Sequence, residues 1–221
     1  MNLERYEYSK KQTFKDYFFY SEGPKGRIKK AVRFVFYPAK GVPCYNVRFG
    51  DWDEENNCIN DQSVTNNGDT EKVLATVGAV IMDFTAIFNE ALVYATGSTQ
   101  ARTRRYQMGI NKMWDEIEEI FDVYGQIGIF WELFRKNINY DAFIVKRKQL
   151  VTLKEPTEKY MTSSTKKEEI KKRIYNDTIS DEGPQIRDDD PYTIKKMELM
   201  RKSLEKAPLP EELLNGYNRN L

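Results

Sequence analysis

The alternation of residues 16–37 limits this chain more than any other feature. Asp16–Ser21 and Arg27–Tyr37 are extended, aromatic-rich runs, and Gly23-Pro24-Lys25-Gly26 between them is a turn signal. In the second run Ile28, Val32, Phe34 and Phe36 fall on one face, and Lys29, Arg33, Val35 and Tyr37 on the other. Successive side chains of a strand point to opposite faces, so a period of two demands a sheet here and excludes a helix. Arg5–Ser9 before this hairpin, and Cys44–Phe49 after a Pro38–Pro43 turn, extend the pattern. The first 50 residues are therefore expected to form an antiparallel meander with one wet face.

The period then changes. Residues 51–69 are an Asn- and Asp-rich loop. Beyond it Val73, Leu74, Val77, Val80, Ile81, Phe84 and Phe88 recur at spacings of three and four. That pattern predicts an amphipathic helix from Thr70 to about Asn89, with Asp69 as its N-cap. Ala91–Thr96 reads as a short buried strand. A second helix follows from about Thr99 to Ile120, with Met113, Trp114, Ile117 and Ile120 inward and Gly109 as the place for a bend. Phe121–Gly125 and Gly128–Phe134 read as a hairpin, and Tyr140–Lys146 as a last strand. The fold class is α+β: an antiparallel sheet of about six to eight strands packed by two amphipathic helices, plus a polar helical C-terminal tail.

The tail begins after Lys148. Lys166–Thr178 and Pro191–Glu205 read as helices separated by Ser180–Asp190, and Pro208-Leu209-Pro210 opens a final helical turn. Two units follow: residues 1–148 as a compact domain and 149–221 as a helical, partly mobile or partner-docking extension, too poor in apolar residues to fold alone. Ile170, Ile174, Tyr175, Ile194, Met197, Leu199, Met200 and Leu204 are more apolar than a free linker needs. Residues 166–205 are therefore expected to meet a protein partner or a second copy of the chain.

Composition excludes several chemistries. The 221 residues include no histidine, which removes Ser–His and Cys–His nucleophiles and every His-ligated metal. Cys44 and Cys58 are too few for structural zinc and are expected as buried, unpaired thiols. The acidic run Asp51, Asp53, Glu54 and Glu55 lacks the glycine and spacing of an EF-hand loop. No metal site and no cofactor are implied. Formal net charge is +1, and fourteen of the 35 basic and fourteen of the 34 acidic residues follow Lys148. Nucleic-acid binding would thus need a local patch. MNLERYEYSKK is charged from residue 4, and no apolar run is long enough to span a bilayer. A cytoplasmic location without a membrane partner is expected.

One segment has chemical content. Residues 94–106, YATGSTQARTRRY, join the short strand to the second helix. Gly97 permits close approach of a ligand, and Ser98 and Thr99 offer hydroxyls and N–H groups at the positive end of the helix dipole. Ser98, Arg102 and Arg105 share a helical face, where two guanidinium groups would hold a phosphate. The plainer alternative is that Ser98 or Thr99 caps the helix while the arginines pair with acids such as Asp83, Glu90 or Asp122. The segment has neither the spacing nor the lysine of a P-loop. Arg104, Tyr106 and the strand-end cluster Lys146, Arg147 and Lys148 are secondary nucleic-acid candidates. The basic hairpin Lys25–Arg33, with Tyr17, Phe19 and Tyr37 nearby, is another, although those aromatics read better as core.

Three functions fit these residues. The leading one is a non-catalytic binding module for a phosphate-bearing partner, RNA or DNA before a nucleotide, in a regulatory or host-conflict setting. The second is a histidine-free, toxin-like ribonuclease using Arg102, Arg104, Arg105 and Tyr106, with an antitoxin-like tail. The third is a structural protein that only docks a partner. Whether the chain is an enzyme stays open at this level. GDTEKVLATV at 68–77, YATGSTQARTRRYQMGI at 94–110 and NYDAFIVKRK at 139–148 together resemble an uncharacterised bacterial family catalogued only as a domain of unknown function. The resemblance covers about the first two-thirds of the chain. It implies a small α+β domain and assigns no catalytic residue.

Overall fold

The computed structural model of the chain describes residues 4–148 and 189–214. Nine strands form one sheet: β1 Tyr8–Lys10, β2 Asp16–Gly23, β3 Gly26–Ala39, β4 Val42–Asp53, β5 Cys58–Asn60, β6 Leu92–Ala95, β7 Phe121–Ile127, β8 Phe130–Leu133 and β9 Ala142–Arg147. Their order is β1-β2-β3-β4-β6-β9-β7-β8, with β5 paired to β4 off this path. The described helices are α1 Thr70–Ile87, α2 Gln100–Lys112, α3 Trp114–Ile120, α4 Pro191–Lys206 and α5 Glu211–Leu214. The fold is α+β, as the alternation demands. The expected helix Lys166–Thr178, with Ile170, Ile174 and Tyr175, lies outside the described residues.

Several local expectations change in detail. β4 and β6 pair in parallel, the one exception to an otherwise antiparallel sheet, because α1 carries the chain across between them. The expected Pro38–Pro43 turn shrinks to Lys40 and Gly41, both at positive φ, so Pro38 and Pro43 face each other inside the ladder. Ala39 and Val42 flank the turn as the hydrogen-bonded pair. The next pair therefore directs its nitrogens away from its partner, where a missing N–H loses no β3–β4 bond. The expected second helix breaks at Met113 into α2 and α3, which lets the Trp114 ring pack 4.7 Å from that of Phe134. Asp69 stands at the α1 N-cap without a side-chain capping bond. Its carboxylate instead accepts from Tyr6 Oη at 2.9 Å and Ser21 Oγ at 2.6 Å, tying the helix start to the N-terminal strands.

On one face of the sheet, α1, α2 and α3 cover the main core. Phe84 of α1 stacks on Phe34 of β3 with centroids 3.7 Å apart, and Tyr45 meets the same ring edge-on. Tyr17 and Phe19 are buried in this core, so they are not a base-stacking surface. The basic residues around them are paired, Lys30 with Asp51 and Arg33 with Asp16.

The opposite face was expected to be wet and is not. Cys44, Asn46 and Arg48 of β4 are all buried there, with Leu92, Tyr94 and Ile144. The cover is the C-terminal pair α4 and α5, through Met200, Leu209 and Leu213. This corrects the docking expectation for the part of the tail that is described: Met200 packs on the chain's own sheet, because that face is itself apolar and must be covered. Ile194 and Leu199 remain exposed. Both cysteines are free and buried. Among the described residues no helix is long and apolar enough to cross a membrane.

Asp190 begins α4 as its N-cap, accepting from the N–H groups of Tyr192 at 3.0 Å and Thr193 at 2.9 Å. Its other oxygen pairs with the fully buried Arg48 at 3.2 Å. Arg48 also donates to Thr193 Oγ1 and, at 3.1 Å, to the Ile59 carbonyl. Replacing Asp190 by alanine strands a buried guanidinium without its carboxylate and removes a cap. The expected loss is about 3–5 kcal/mol, read as a lower denaturant midpoint. A midpoint equal to that of the wild type would show that Arg48 does not depend on this pair.

Candidate functional site

β6 delivers the chain to the corner that the sequence singles out. A Cβ on Gly97 would lie 2.4 Å from the Thr103 nitrogen and 2.7 Å from the Thr99 carbonyl oxygen, so only glycine fits. Its N–H donates to Thr103 Oγ1 at 3.0 Å. The close approach allowed by Gly97 thus serves the first turn of α2 rather than a ligand. Thr99 is the N-cap, accepting from the Arg102 N–H at 3.3 Å. Ser98 Oγ donates to the Asp61 carbonyl at 3.1 Å and accepts from Arg102 Nη1 at 2.5 Å.

The two principal arginines part company. Arg102 Nη2 donates to the carbonyls of Gln62 and Ser63, both at 2.8 Å, and so fastens the 61–63 loop to α2. Neither it nor Arg105 pairs with Asp83, Glu90 or Asp122. Arg105 is exposed and makes no hydrogen bond or ion pair among the described residues. It stands at the edge of a cleft of about 130 Å³ between that loop and α1 and α2, shared with Lys30, Asp51, Asp61, Arg102 and Tyr106.

The carboxylates of the cleft are already engaged. Lys30 pairs with Asp51, whose carboxyl is raised by burial but brought below its ordinary value by hydrogen bonds from Lys30, Ser63 and Thr65. Asp61 has Lys196 at 3.8 Å. Asp69, which also lines the cleft, is met by the neutral donors Tyr6 and Ser21. Three cations, Lys30, Arg102 and Arg105, thus line the cleft with three carboxylates, Asp51, Asp61 and Asp69, and each carboxylate already has another donor or cation beside it.

Of the secondary candidates only Tyr106 joins this site. β6 pairs antiparallel with β9, Leu92 opposite Lys146 and Ala95 opposite Phe143. Lys146, Arg147 and Lys148 thus lie beside the start of β6, whereas the corner follows its end. Arg147 donates to the Met82 carbonyl at 3.1 Å, and Lys148 to the Glu118 carbonyl at 2.5 Å. Arg104 is exposed and reaches Asn139 Oδ1 at 3.4 Å. Tyr106 is half-buried against the core, and burial, aided by the negative charge of Asp61, pushes its hydroxyl up to about 12.

A family model matches residues 2–148, a span that ends one residue beyond β9. The chain belongs to DUF6934. DUF6934 is described as a family of unknown function. No curated protein and no solved structure matches the chain. The DUF6934 span contains the whole sheet, α1 to α3, Arg102, Arg105 and their cleft, whereas Asp190 and Lys196 lie beyond it.

Two features of the site were not visible in the sequence. The first is Lys196 of α4, buried beside Asp61 and donating to the Thr96 carbonyl. Burial pushes its ammonium down to about 8 against the pull of Asp61. Nothing local distinguishes it from Lys195 beside it, which is exposed. The second is an apolar chamber of about 230 Å³ in the DUF6934 region, between the sheet and α1 to α3. Val47, Val77, Ala95, Ile110 and Phe143 line it, and the Tyr106 ring borders both chamber and cleft.

Two measurements check this geometry. Arg102→Ala releases the carbonyls of Gln62 and Ser63, with an expected stability loss of about 1.5–3 kcal/mol and faster amide exchange over 61–63. Exchange unchanged in that loop would refute the fastening role. Lys196 titrates at about 8 when folded and at its ordinary 10.5 when unfolded. Between those values the unfolded chain holds a proton that the folded chain has released, so this group's contribution to stability rises with pH through that window. Relative to Lys196→Met, the wild type should gain stability from about pH 8 to about 10.5. A difference that is flat with pH would contradict the assignment.

Proposed function

We propose that the chain is a non-catalytic binding module for a small phosphate-bearing ligand, whose anionic group sits in the cleft beside Arg105. The observation that carries this reading is the exposed Arg105 guanidinium, without a partner among the described residues, on a cleft whose carboxylates are engaged by other groups. The cleft volume equals that of about four waters in the liquid, which suits a phosphate group. A nucleotide or another small phosphorylated molecule fits better than a duplex, since the basic residues lie on separate parts of the sheet and no described stripe tracks a nucleic-acid backbone. Arg102 supports the site indirectly by holding the loop that forms one wall.

The ribonuclease alternative gains less from the geometry. It needs Arg102, Arg104, Arg105 and Tyr106 to act together, but Arg102 is committed to the loop. A phenol titrating near 12 is a poor general base at neutral pH.

The test is titration of the full chain with pyrophosphate and with ADP at low ionic strength. Arg105→Ala removes one charge-assisted contact worth about 1.5–3 kcal/mol, so affinity should fall roughly ten- to a hundredfold. Thermal stability should be unchanged, and the loss should shrink as salt screens the site. Equal affinity of wild type and Arg105→Ala for both probes would reject the reading.

A further inference from the structure

We propose that the chamber on the helix side of the sheet binds a medium-chain alkyl or acyl molecule with a single polar end, seated so that this end meets the Tyr106 hydroxyl. The walls are aliphatic and aromatic, supplied by β4, β6, β7 and β9 beneath and by α1, α2 and α3 above. The polar residues that reach the chamber are Tyr106, Glu116 and the exposed Glu119. Such a surface offers a polar molecule few partners and an apolar one extensive burial between sheet and helices. An apolar cavity of about 150 Å³ holds benzene, so the 230 Å³ here has room for about nine carbon atoms.

Tyr106 gives the ligand its direction. Tyr106 lines both the chamber and the polar cleft, its hydroxyl feels Asp61 and Arg102 of the cleft, and that hydroxyl has no hydrogen-bond partner among the described residues, so the polar end of a chain lying in the chamber would reach it at the border of the two. Burial keeps that hydroxyl protonated, so it is a donor awaiting an acceptor. A hydroxyl or carboxyl at the end of a chain lying in the chamber would supply one. The chamber does not depend on the anion reading of the cleft: the two sites share the Tyr106 and Leu74 wall, but a neutral chain needs no arginine.

The experiment is calorimetric and thermal titration of the full chain with 1-nonanol, a neutral probe. One molecule should bind per chain, saturably, and raise the unfolding midpoint. Val77→Phe and Ala95→Leu each put side-chain volume into the chamber. Either should keep or raise the midpoint of the free protein while weakening 1-nonanol at least tenfold; if one fails to fold, the other serves. Tyr106→Phe should fold normally and bind severalfold more weakly. Absence of saturable binding to the wild type overturns the proposal and leaves the chamber to be filled by protein. Filled variants that bind as well as the wild type overturn it too. Loss of pyrophosphate binding with 1-nonanol binding intact, or the reverse, shows which of the two readings has failed.

Discussion

A guanidinium with no solvent exposure sits in the middle of β4, and most of the second sheet face follows from it. β4 pairs with β3, β5 and β6, and its alternation sends Tyr45, Val47 and Phe49 toward α1 to α3 and Cys44, Asn46 and Arg48 the other way. A buried Arg48 requires a cover that brings acceptors with it. Asp190 and Thr193 bring them from the first turn of α4, and Ile59 from β5. Burying such a pair gains little net free energy, because desolvating both ions opposes their attraction. The apolar contacts of Met200, Leu209 and Leu213 with Leu92, Tyr94 and Ile144 supply the driving force. The ion pair, which only one placement of α4 satisfies, sets where that helix starts.

The two faces meet at the 61–63 loop. From the second face Lys196 approaches the Asp61 carboxylate and bonds the Thr96 carbonyl. From the first, Arg102 holds the carbonyls of Gln62 and Ser63, and Ser98 that of Asp61. One wall of the cleft is thereby held from both sides, which in the proposed reading would lower the ordering cost of binding. The same contacts fix the Arg102 guanidinium on the loop, whereas Arg105 is exposed and has no partner among the described residues.

Adjacent to this polar site the core is incompletely filled. Chamber and cleft share Tyr106 and Leu74, and both fall within residues 2–148, the span of the DUF6934 match. A packed interior ordinarily leaves few voids larger than a water molecule. An apolar space of this size beside a polar cleft has the character of a ligand site: apolar walls with few polar groups.

The sequence by itself determined whatever a few neighbouring residues decide. The period of two specified β2 to β4, the spacing of three and four specified α1, and Gly23 to Gly26 specified a turn. Ser98 and Thr99 narrowed one helix start to two candidates, of which the structure makes Thr99 the cap. The absence of histidine excluded a range of chemistry without any structure. It also marked residues 97–105 as a strand-to-helix corner bearing arginines, which they are. Only the tertiary structure decided which arginine is available, because the carbonyls that bind Arg102 lie about forty residues away in the chain. It alone decided that β4 and β6 run parallel, that Lys146 to Lys148 lie apart from the corner, and that Arg48 is interior rather than wet. A strand shows the same alternation whether its second face meets water or another helix. The difference rests on contacts such as Arg48 with Asp190, 142 residues apart, and local periodicity carries no record of them.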